Sequence, residues 1–272
     1  MGEAPWEAMA PRWEQGRELL WRATRTVSEW LVARLDPHPG QVVVDLAAGT
    51  GETGFLAAPS LLPGGRLITS DREAGMVDAA RRLAGTLGVT NAEFRVLDAD
   101  ALDLPDESVD GVLNRFGYIL RGEPPRAPGE IRRVLRPGGR LAFAVWAARE
   151  LNSWMTVPAD VMVERGHLGP RSDAEARLSA RRNPESIRAL LAAAGFGEPE
   201  IEEMPVTYRF SDLDELWFFV SELRGPVALA LAGLPDGERA AVRSEIESRV
   251  TRAGDGWELG GISLNVAVSL PR

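Results

Sequence analysis

Between residues 41 and 146, short apolar runs alternate with stretches whose apolar residues recur at helical spacing. Runs rich in β-branched residues are typical of buried strands, and the longer periodic stretches are typical of helices that pack on a sheet. The pattern predicts strands at 41–46, 66–70, 93–97, 109–113 and 140–146, and helices at 52–60, 73–87 and 126–135. This alternation favours a doubly wound, mostly parallel α/β sheet with right-handed crossovers and helices on both faces.

The segment before this block, residues 1–36, has four tryptophans and a helical pattern. Apolar residues from Trp13 to Leu35 fall on one face of a helix, so we expect this stretch to pack on the sheet. An alternative remains for the stretch around Trp6–Trp13, which could fold over a ligand as a lid. We therefore treat 1–36 as an N-terminal helical segment with a lid or packing role.

The chain after residue 146 follows the fifth predicted strand, so it starts on the side where parallel sheets bind ligands. We predict that helical cap insertions at about 147–182 and 212–252 interrupt a domain of residues 37–272. The intervening and closing segments predict a helix at 184–196 and strands at 200–210 and 257–270. The predicted sheet therefore has seven strands.

The composition removes several kinds of chemistry. The sequence has no cysteine, which excludes disulfides, zinc–thiolate sites and cysteine nucleophiles. All 31 basic residues are arginine, which excludes a P-loop lysine and a Schiff-base lysine. No cluster of residues has the spacing of metal ligands, so we predict no metal site.

The charge and hydropathy pattern bears on partners and location. The net charge of −9 disfavours nucleic acid as a partner, because a phosphate backbone prefers a basic face. No apolar run has the length of a membrane span or a signal peptide. We therefore expect a cytoplasmic protein without a membrane partner, and we leave a homodimer open.

The stretch from Val42 to Gly51, VVVDLAAGTG, joins a predicted buried strand to a glycine-rich turn. Gly49, Gly51 and Gly54 spell G-x-G-x-x-G, and the chain behind them can begin a helix. Glycine allows a positive φ and close approach of a ligand. A strand, a glycine turn and a helix start together favour a nucleotide-like ligand, but dinucleotide-binding proteins share the pattern.

Asp45, at the tip of the predicted strand, discriminates between the two main ligands. A carboxylate beside a pyrophosphate costs Coulomb energy, whereas a carboxylate beside an ammonium and a sulfonium gains it. The spacing Asp45-x-Ala47-x-Gly49-x-Gly51 therefore favours S-adenosylmethionine over NAD. A helix N-cap is the other interpretation of Asp45, and an NAD-dependent oxidoreductase is the less favoured function.

Four segments in order carry a family resemblance: VVVDLAAGTG (42–51), GRLITSDREAGMVDAARR (65–82), FRVLDADALDLPDESVDGVLNRFG (94–117) and EIRRVLRPGGRLAFAVW (130–146). They resemble the class I S-adenosylmethionine-dependent methyltransferases, and among these the ubiquinone/menaquinone-biosynthesis-type small-molecule enzymes. The resemblance implies a Rossmann-like sheet with an antiparallel last strand, S-adenosyl-L-methionine as cofactor, and methyl transfer to oxygen, nitrogen or carbon of a small molecule. The absence of cysteine removes thiol-dependent arsenic methylation from the family's options.

The resemblance also implies roles for residues of the glycine turn and the second strand. Ala47, Gly49, Thr50 and Gly51 would lie against the methionine part and the ribose. We expect a valine at Gly51 to block the cofactor while leaving the fold largely intact. Asp71 would accept both ribose hydroxyls, and a helix N-cap is its other interpretation.

The adenine would lie near the ends of the second and third strands. The Asp100–Ala101 pair matches the family's adenine-binding pair, and Asp100 would accept a hydrogen bond from the adenine amino group. Asp98 competes for this role. Arg72 and Met76 would border the adenine ring.

The fourth strand and the first insertion supply the remaining candidates. Asn114 would contact the methionine part through its backbone, and Arg115 would border the acceptor. Tyr118 and His167 are candidate general bases, since the ordinary pKa of histidine, about 6.5, suits proton transfer. A surface histidine is the other interpretation of His167. The alternative function is the same fold binding the cofactor without methyl transfer, as a cyclase-like catalyst or a regulator.

Overall fold

The computed structural model describes residues 6–117, 119–120, 125–170 and 172–271. The chain forms two compact units, each drawn from three stretches. The sheet unit comprises Arg25–Trp146, Arg181–Met204 and Ser263–Arg272, and the helical unit comprises Met1–Thr24, Ala147–Ala180 and Pro205–Ile262. The first division falls between Thr24 and Arg25, inside a helix, and not at residue 36.

The helices and strands follow the predicted order closely. The helices are α1 (Trp6–Gln15), α2 (Arg17–Leu35), α3 (Glu52–Ala57), α4 (Ala74–Leu87), α5 (Ala127–Val134), α6 (Ser153–Glu164), α7 (Asp173–Ala180), α8 (Pro184–Ala193), α9 (Leu213–Phe218), α10 (Pro226–Ala232) and α11 (Asp236–Arg249). The strands are β1 (Val42–Asp45), β2 (Arg66–Asp71), β3 (Ala92–Val96), β4 (Val109–Arg115), β5 (Leu135–Trp146), β6 (Glu200–Phe210), β7 (Thr251–Ala253) and β8 (Gly256–Ser269).

The strands form a sheet in the order β3-β2-β1-β4-β5-β8-β6, and β7 pairs with β8. The pairs β1–β2, β1–β4, β2–β3 and β4–β5 are parallel, and β8 is antiparallel to β5. The predicted fold class, including the antiparallel last strand, is confirmed. The strand count was one too low, because β7 is too short to show a period-two pattern and is defined only by its pairing with β8.

The switch point of the sheet lies between β1 and β4. The chain runs outward from β1 through β2 to β3, and then returns to the other side of β1 as β4. Asp45 pairs with Leu113, so the ends of these two strands lie side by side. Because the loops after them run in opposite directions, they open the crevice in which such sheets bind ligands.

Two of the differences from the predicted element boundaries have a clear structural cause. The N-terminal helix begins at Trp6 and is interrupted at Gly16, where a Cβ would lie only 2.5 Å from a methyl carbon of Leu223. Strand β5 begins at Leu135, five positions before the predicted start at residue 140, because Leu135 already pairs with Val109. The glycine pair after it then shifts the register.

The helical unit has its own core. Tyr208, Phe210 and Phe219 are buried, with ring centroids 4.8 Å apart for Tyr208–Phe219 and 5.4 Å apart for Phe210–Phe219. Asn152 is fully buried and bonds to Ala147 O and Ile262 N. In the part of the chain that the structure describes, no helix combines the length and the apolarity that crossing a membrane requires.

Candidate functional site

The loop after β1 has an unusual backbone. Ala47, Gly49 and Gly51 all have positive φ, at 49°, 57° and 92°. A non-glycine residue rarely adopts this region, and such strain concentrates at functional sites. The loop is anchored by Ala48 N, which donates to Ser70 O at 2.9 Å. The strand end, the turn and the start of α3 are therefore held in one fixed arrangement.

Gly51 is required by the fold itself. A Cβ at Gly51 would lie 2.5 Å from the ring of Phe55 and 3.3 Å from Ala80 Cβ. The φ of 92° is also strained for any other residue. This geometry disfavours the expectation that Gly51→Val leaves the fold largely intact, since the new side chain would meet the buried ring of Phe55.

Asp45 is an ionisable residue of the sheet unit that is almost completely buried. It is 1% exposed, and its Oδ2 accepts a hydrogen bond from Gly54 N at 2.8 Å in the first turn of α3. No residue that the structure describes bonds to Oδ1. Burial raises the pKa of Asp45 to about 7, while the Gly54 N–H and the charge of Arg115 lower it. Asp45 thus stabilises the helix start with one oxygen and keeps the other available.

Asn114, at the end of β4, presents a second acceptor. It is fully buried, and its Nδ2 donates to Leu46 O at 2.7 Å, which fixes the orientation of the amide. Its Oδ1 has no partner within the described ranges. Gly117 leaves no room for a Cβ beside this amide. Two neighbouring strands therefore end in buried oxygens that can only accept hydrogen bonds, an arrangement that fits a donor such as an ammonium.

Asp71 lies beside the glycine turn, as predicted from its position at the end of β2. Its Oδ2 accepts from Gly49 N at 3.0 Å, and its Oδ1 accepts from Glu73 N at 3.1 Å, just before α4. Burial raises its pKa, and the N–H groups of Glu73 and Gly49 lower it. Each carboxylate oxygen has a further lone pair, so hydroxyl groups could still be accepted. The capping interaction is present, and ribose binding stays a prediction.

The two aspartates after β3 have different surroundings. Asp100 is half-buried, and its Oδ1 accepts from Ala127 N at 3.1 Å at the start of α5. Asp98 is exposed, and its Oδ1 accepts from Asp100 N at 3.0 Å. Ala101 is exposed and bridges back to Asp98. Asp100 is therefore fixed by a neighbouring helix, whereas Asp98 shapes the turn.

The two residues predicted to border adenine differ in exposure. Arg72 is exposed, and its Nε lies 3.3 Å from Glu73 Oε1. Met76 is 3% exposed and belongs to the buried face of α4. Met76 thus contributes to the core beneath the start of the helix, and only Arg72 has solvent-accessible atoms to offer.

The sequence prediction missed a polar cluster around Arg115. The Nη1 of Arg115 donates to Ser28 Oγ at 3.2 Å, and its Nη2 lies 3.8 Å from Glu52 Oε2. Ser28 Oγ is 2.9 Å from Thr53 Oγ1, and the Thr50 hydroxyl donates to Glu52 at 2.8 Å. The sequence did contain one indication of this cluster, because the charged residue Glu52 directly follows the glycine turn. These contacts bring α2, α3 and β4 together beside the glycine turn.

Phe116 and Trp146 form an aromatic pair at the ends of β4 and β5. Their rings are stacked with centroids 4.0 Å apart and an interplanar angle of 8°. Phe116 has a φ of 61°, which is rare for an aromatic residue. The strained backbone therefore holds an aromatic ring at the ligand-binding edge of the sheet.

Of the two candidate bases, the structure describes only His167. His167 belongs to the helical unit, where its Nε2 lies 3.2 Å from Glu238 Oε2. Arg165 binds the same carboxylate oxygen at 3.1 Å. His167 therefore belongs to a surface ion-pair cluster. Tyr118 lies outside the described residues.

Comparison with known proteins agrees with this geometry. A family model for a methyltransferase domain matches residues 43–139. A demethylmenaquinone methyltransferase from Clavibacter sepedonicus is 31% identical over 197 residues, 68% of this chain and 75% of that protein. An arsenite methyltransferase from Halobacterium salinarum is 31% identical over 177 residues, 65% of this chain but only 42% of that protein. The solved structure of YcgJ from Bacillus subtilis has a TM-score of 0.60 and 17% identity, covering 91% of this chain and 99% of that chain.

Proposed function

This chain belongs to the class I S-adenosylmethionine-dependent methyltransferases, and on that premise we propose that it methylates a small, planar and largely apolar acceptor. The family defines the cofactor and the reaction. The nature of the acceptor is what we propose here. The proposed placement of the cofactor's methionine end rests on the buried oxygens of Asp45 and Asn114, which have no hydrogen-bond partner among the described residues.

The two oxygens fit an ammonium group because the amide oxygen of Asn114 and the ionised carboxylate of Asp45 accept hydrogen bonds and cannot donate them. An unsatisfied buried acceptor costs about 1–3 kcal/mol, and a ligand that donates to it recovers that cost. Asp45 adds a Coulomb attraction when it is ionised. A pyrophosphate offers only acceptors of negative charge, so the same pair would repel it. These features support S-adenosylmethionine and disfavour NAD.

The adenosine end would lie along β2 and the turn after β3. We propose that Asp71 accepts the ribose hydroxyls while its bond to Gly49 N holds the turn in place. Asp100 would accept from the adenine amino group with the oxygen that does not bind Ala127 N. Comparing Asp100→Asn with Asp98→Ala tests the competing assignment of the adenine contact to Asp98.

Two observations support a planar acceptor. The stacked rings of Phe116 and Trp146 stand at the ends of the strands next to Asn114, and planar groups pack well against such rings. The Clavibacter relative is named for a demethylmenaquinone, which is a planar quinone. The arsenite relative supports no arsenic substrate here, because this chain has no cysteine. A cytoplasmic location and a homodimer remain predictions.

The bound cofactor supplies an electrophilic methyl group on a positively charged sulfur. A lone pair of the acceptor forms a bond to the methyl carbon, the carbon–sulfur bond breaks, and its electrons remain on sulfur. The acceptor proton leaves to a base or to water. The protein's share of the work is to align the partners and exclude water. Asp45 and Asn114 would hold one end of the reacting pair, and Phe116 would border the other.

The direct test is transfer of a radiolabelled methyl group to a panel of quinols, phenols, amines and carbon acids. We expect transfer to at least one planar acceptor, and calorimetry should show binding of S-adenosylhomocysteine but not of NADH. Asp45→Asn should lose most of this binding. Cofactor binding without transfer to any acceptor class would favour the cyclase-like or regulatory alternative. Binding of NADH in place of S-adenosylhomocysteine would refute the proposal.

A further inference from the structure

Three charged side chains from three elements act on one another beside the glycine turn. Asp45 ends β1, Glu52 begins α3, and Arg115 ends β4. Asp45 is 1% exposed and Glu52 7%, and the Arg115 side chain is 16% exposed. When all three are ionised, two negative charges face one positive charge. Within the described part of the chain, these three groups then carry one net negative charge.

The pairing of Arg115 with Glu52 is loose. Their closest atoms are 3.8 Å apart, which is too far for a hydrogen bond. Glu52 takes its hydrogen bonds from the Thr50 hydroxyl, and Arg115 donates to Ser28. Both charges are thus held in place by other groups, and the field of Arg115 is shared between the two carboxylates.

Arg115 and Glu52 shift the pKa of Asp45 in opposite directions. The charge of Arg115 lowers the pKa of Asp45, and the charges of Glu52 and Asp71 raise it. Burial has the largest effect and raises it to about 7. These groups, with the Gly54 N–H, are the ones that act on Asp45 from β2, α3 and β4. Small changes in the pair would therefore alter the charge of Asp45 near neutral pH.

We propose that Arg115 and Glu52 are positioning residues that act through Asp45 and set its charge when the methionine end of the cofactor binds. This rests on the proposed function, in which Asp45 holds the ammonium group. Arg115 favours the ionised carboxylate, which attracts the ammonium, and Glu52 opposes it. The ammonium of the arriving ligand then balances the net negative charge of Asp45, Glu52 and Arg115. Cofactor affinity should accordingly fall as Asp45 becomes protonated.

Two ligands separate this effect from general damage to the site. S-adenosylhomocysteine carries the ammonium, whereas 5′-methylthioadenosine has the same adenosine and thioether but no amino acid. We would measure both affinities by calorimetry from about pH 5.5 to about pH 8.5, and titrate the amino group of the free ligand separately so that its deprotonation is corrected for. The ratio of the two affinities isolates the methionine end, because titration of Asp71 beside the ribose affects both ligands alike.

In the parent protein the ratio should rise by at least about tenfold with pH, with a midpoint near the Asp45 pKa of about 7. Glu52→Gln should move the midpoint down by about 0.5–1 pH unit, and Arg115→Met should move it up by a similar amount. Arg115→Met combined with Glu52→Gln removes both charges and should return the midpoint close to the parent value. Arg115→Lys keeps the positive charge and should change the midpoint little, which preserves the test if Arg115→Met does not fold.

The outcomes distinguish the two levels of the proposal. A pH-independent ratio in the parent, equal to that of Asp45→Asn, would refute the ammonium role of Asp45 and with it the proposed placement of the cofactor. A pH-dependent ratio whose midpoint stays fixed, or shifts the same way in Glu52→Gln and Arg115→Met, would refute only the positioning role. Opposite shifts that cancel in the double variant would support both.

Discussion

Asp45 Oδ2 accepts a hydrogen bond from Gly54 N at 2.8 Å, and this contact ties the end of β1 to the first turn of α3. The same contact places the carboxylate in a site that is almost free of solvent. Burial there destabilises the ionised side chain, although the hydrogen bond from Gly54 N–H favours it. Stability and cofactor binding therefore make opposite demands on Asp45.

Asp45→Asn should stabilise the protein without ligand and weaken its binding of S-adenosylhomocysteine. Because the pKa of Asp45 is raised to about 7, its contribution to the free energy of unfolding is greatest at acid pH and is lost as the pH rises through about 7. The asparagine variant does not ionise, so its free energy of unfolding does not fall in this way as the pH rises. We expect a gain of about 1–3 kcal/mol at pH 8, with binding weakened about 10- to 100-fold.

The pH dependence provides the control. The stability difference between Asp45→Asn and the parent should shrink steadily as the pH falls below 7 and approach zero only near the pKa of the unfolded side chain, about 3.9. Denaturant unfolding at several pH values measures it. A variant that is less stable than the parent at pH 8 would show that the buried charge is better compensated than we infer.

Gly51→Ala should destabilise the fold through Phe55. The new methyl group would meet a buried ring at a strained φ, and we expect a loss of about 2–4 kcal/mol in unfolding free energy. Phe55→Leu in the same chain should recover part of this loss. Gly85→Ala is the matched control, because a Cβ there meets nothing within 4 Å. Equal effects at both glycines would contradict this account.

Asp71→Ala should weaken the binding of both S-adenosylhomocysteine and 5′-methylthioadenosine. Both ligands carry the ribose, and loss of charge-assisted hydrogen bonds costs about 1–3 kcal/mol. Asp78→Ala, an exposed acid on α4, controls for net charge and should bind both ligands normally. Unchanged affinity in Asp71→Ala would restrict Asp71 to its bonds with Gly49 and Glu73.

Asp100→Asn tests the adenine assignment with little risk to the fold. The amide oxygen can still accept from Ala127 N, so stability should change by less than about 0.5 kcal/mol. The amide NH₂ would then face the adenine amino group, and S-adenosylhomocysteine should bind about tenfold more weakly. S-inosylhomocysteine, which offers an acceptor at that position, should bind the Asp100→Asn variant more tightly than it binds the parent protein. If only Asp98→Ala weakens binding, Asp98 is the adenine acceptor.

His167→Gln should leave methyl transfer nearly unchanged. The ring is paired with Glu238 in a cluster that also holds Arg165, so we expect a change in kcat of less than about threefold. Removal of a general base would cost about 10²- to 10⁴-fold. A loss on that scale, with S-adenosylhomocysteine affinity preserved, would establish His167 as the base.

The local pattern of the sequence predicted the sheet and the strand-end residues well. VVVD could only be a buried central strand, and the acids at Asp45 and Asp71 were placed correctly because the carboxyl ends of parallel strands share an edge. The short β7 and the early start of β5 escaped detection, since both depend on a partner strand and not on the pattern of their own residues.

Residue order by itself determined the fold class, through the alternation of strand and helix patterns over residues 41–146, and the glycine turn, through spacing within one strand–turn–helix segment. The cofactor family followed from the resemblance of four segments in order. Only the tertiary structure revealed that Ser28, Glu52 and Arg115 form one cluster, and that Phe55 occupies the space beside Gly51. These relations join residues from different elements. Their energies depend on distance and burial, which the linear order of residues does not specify.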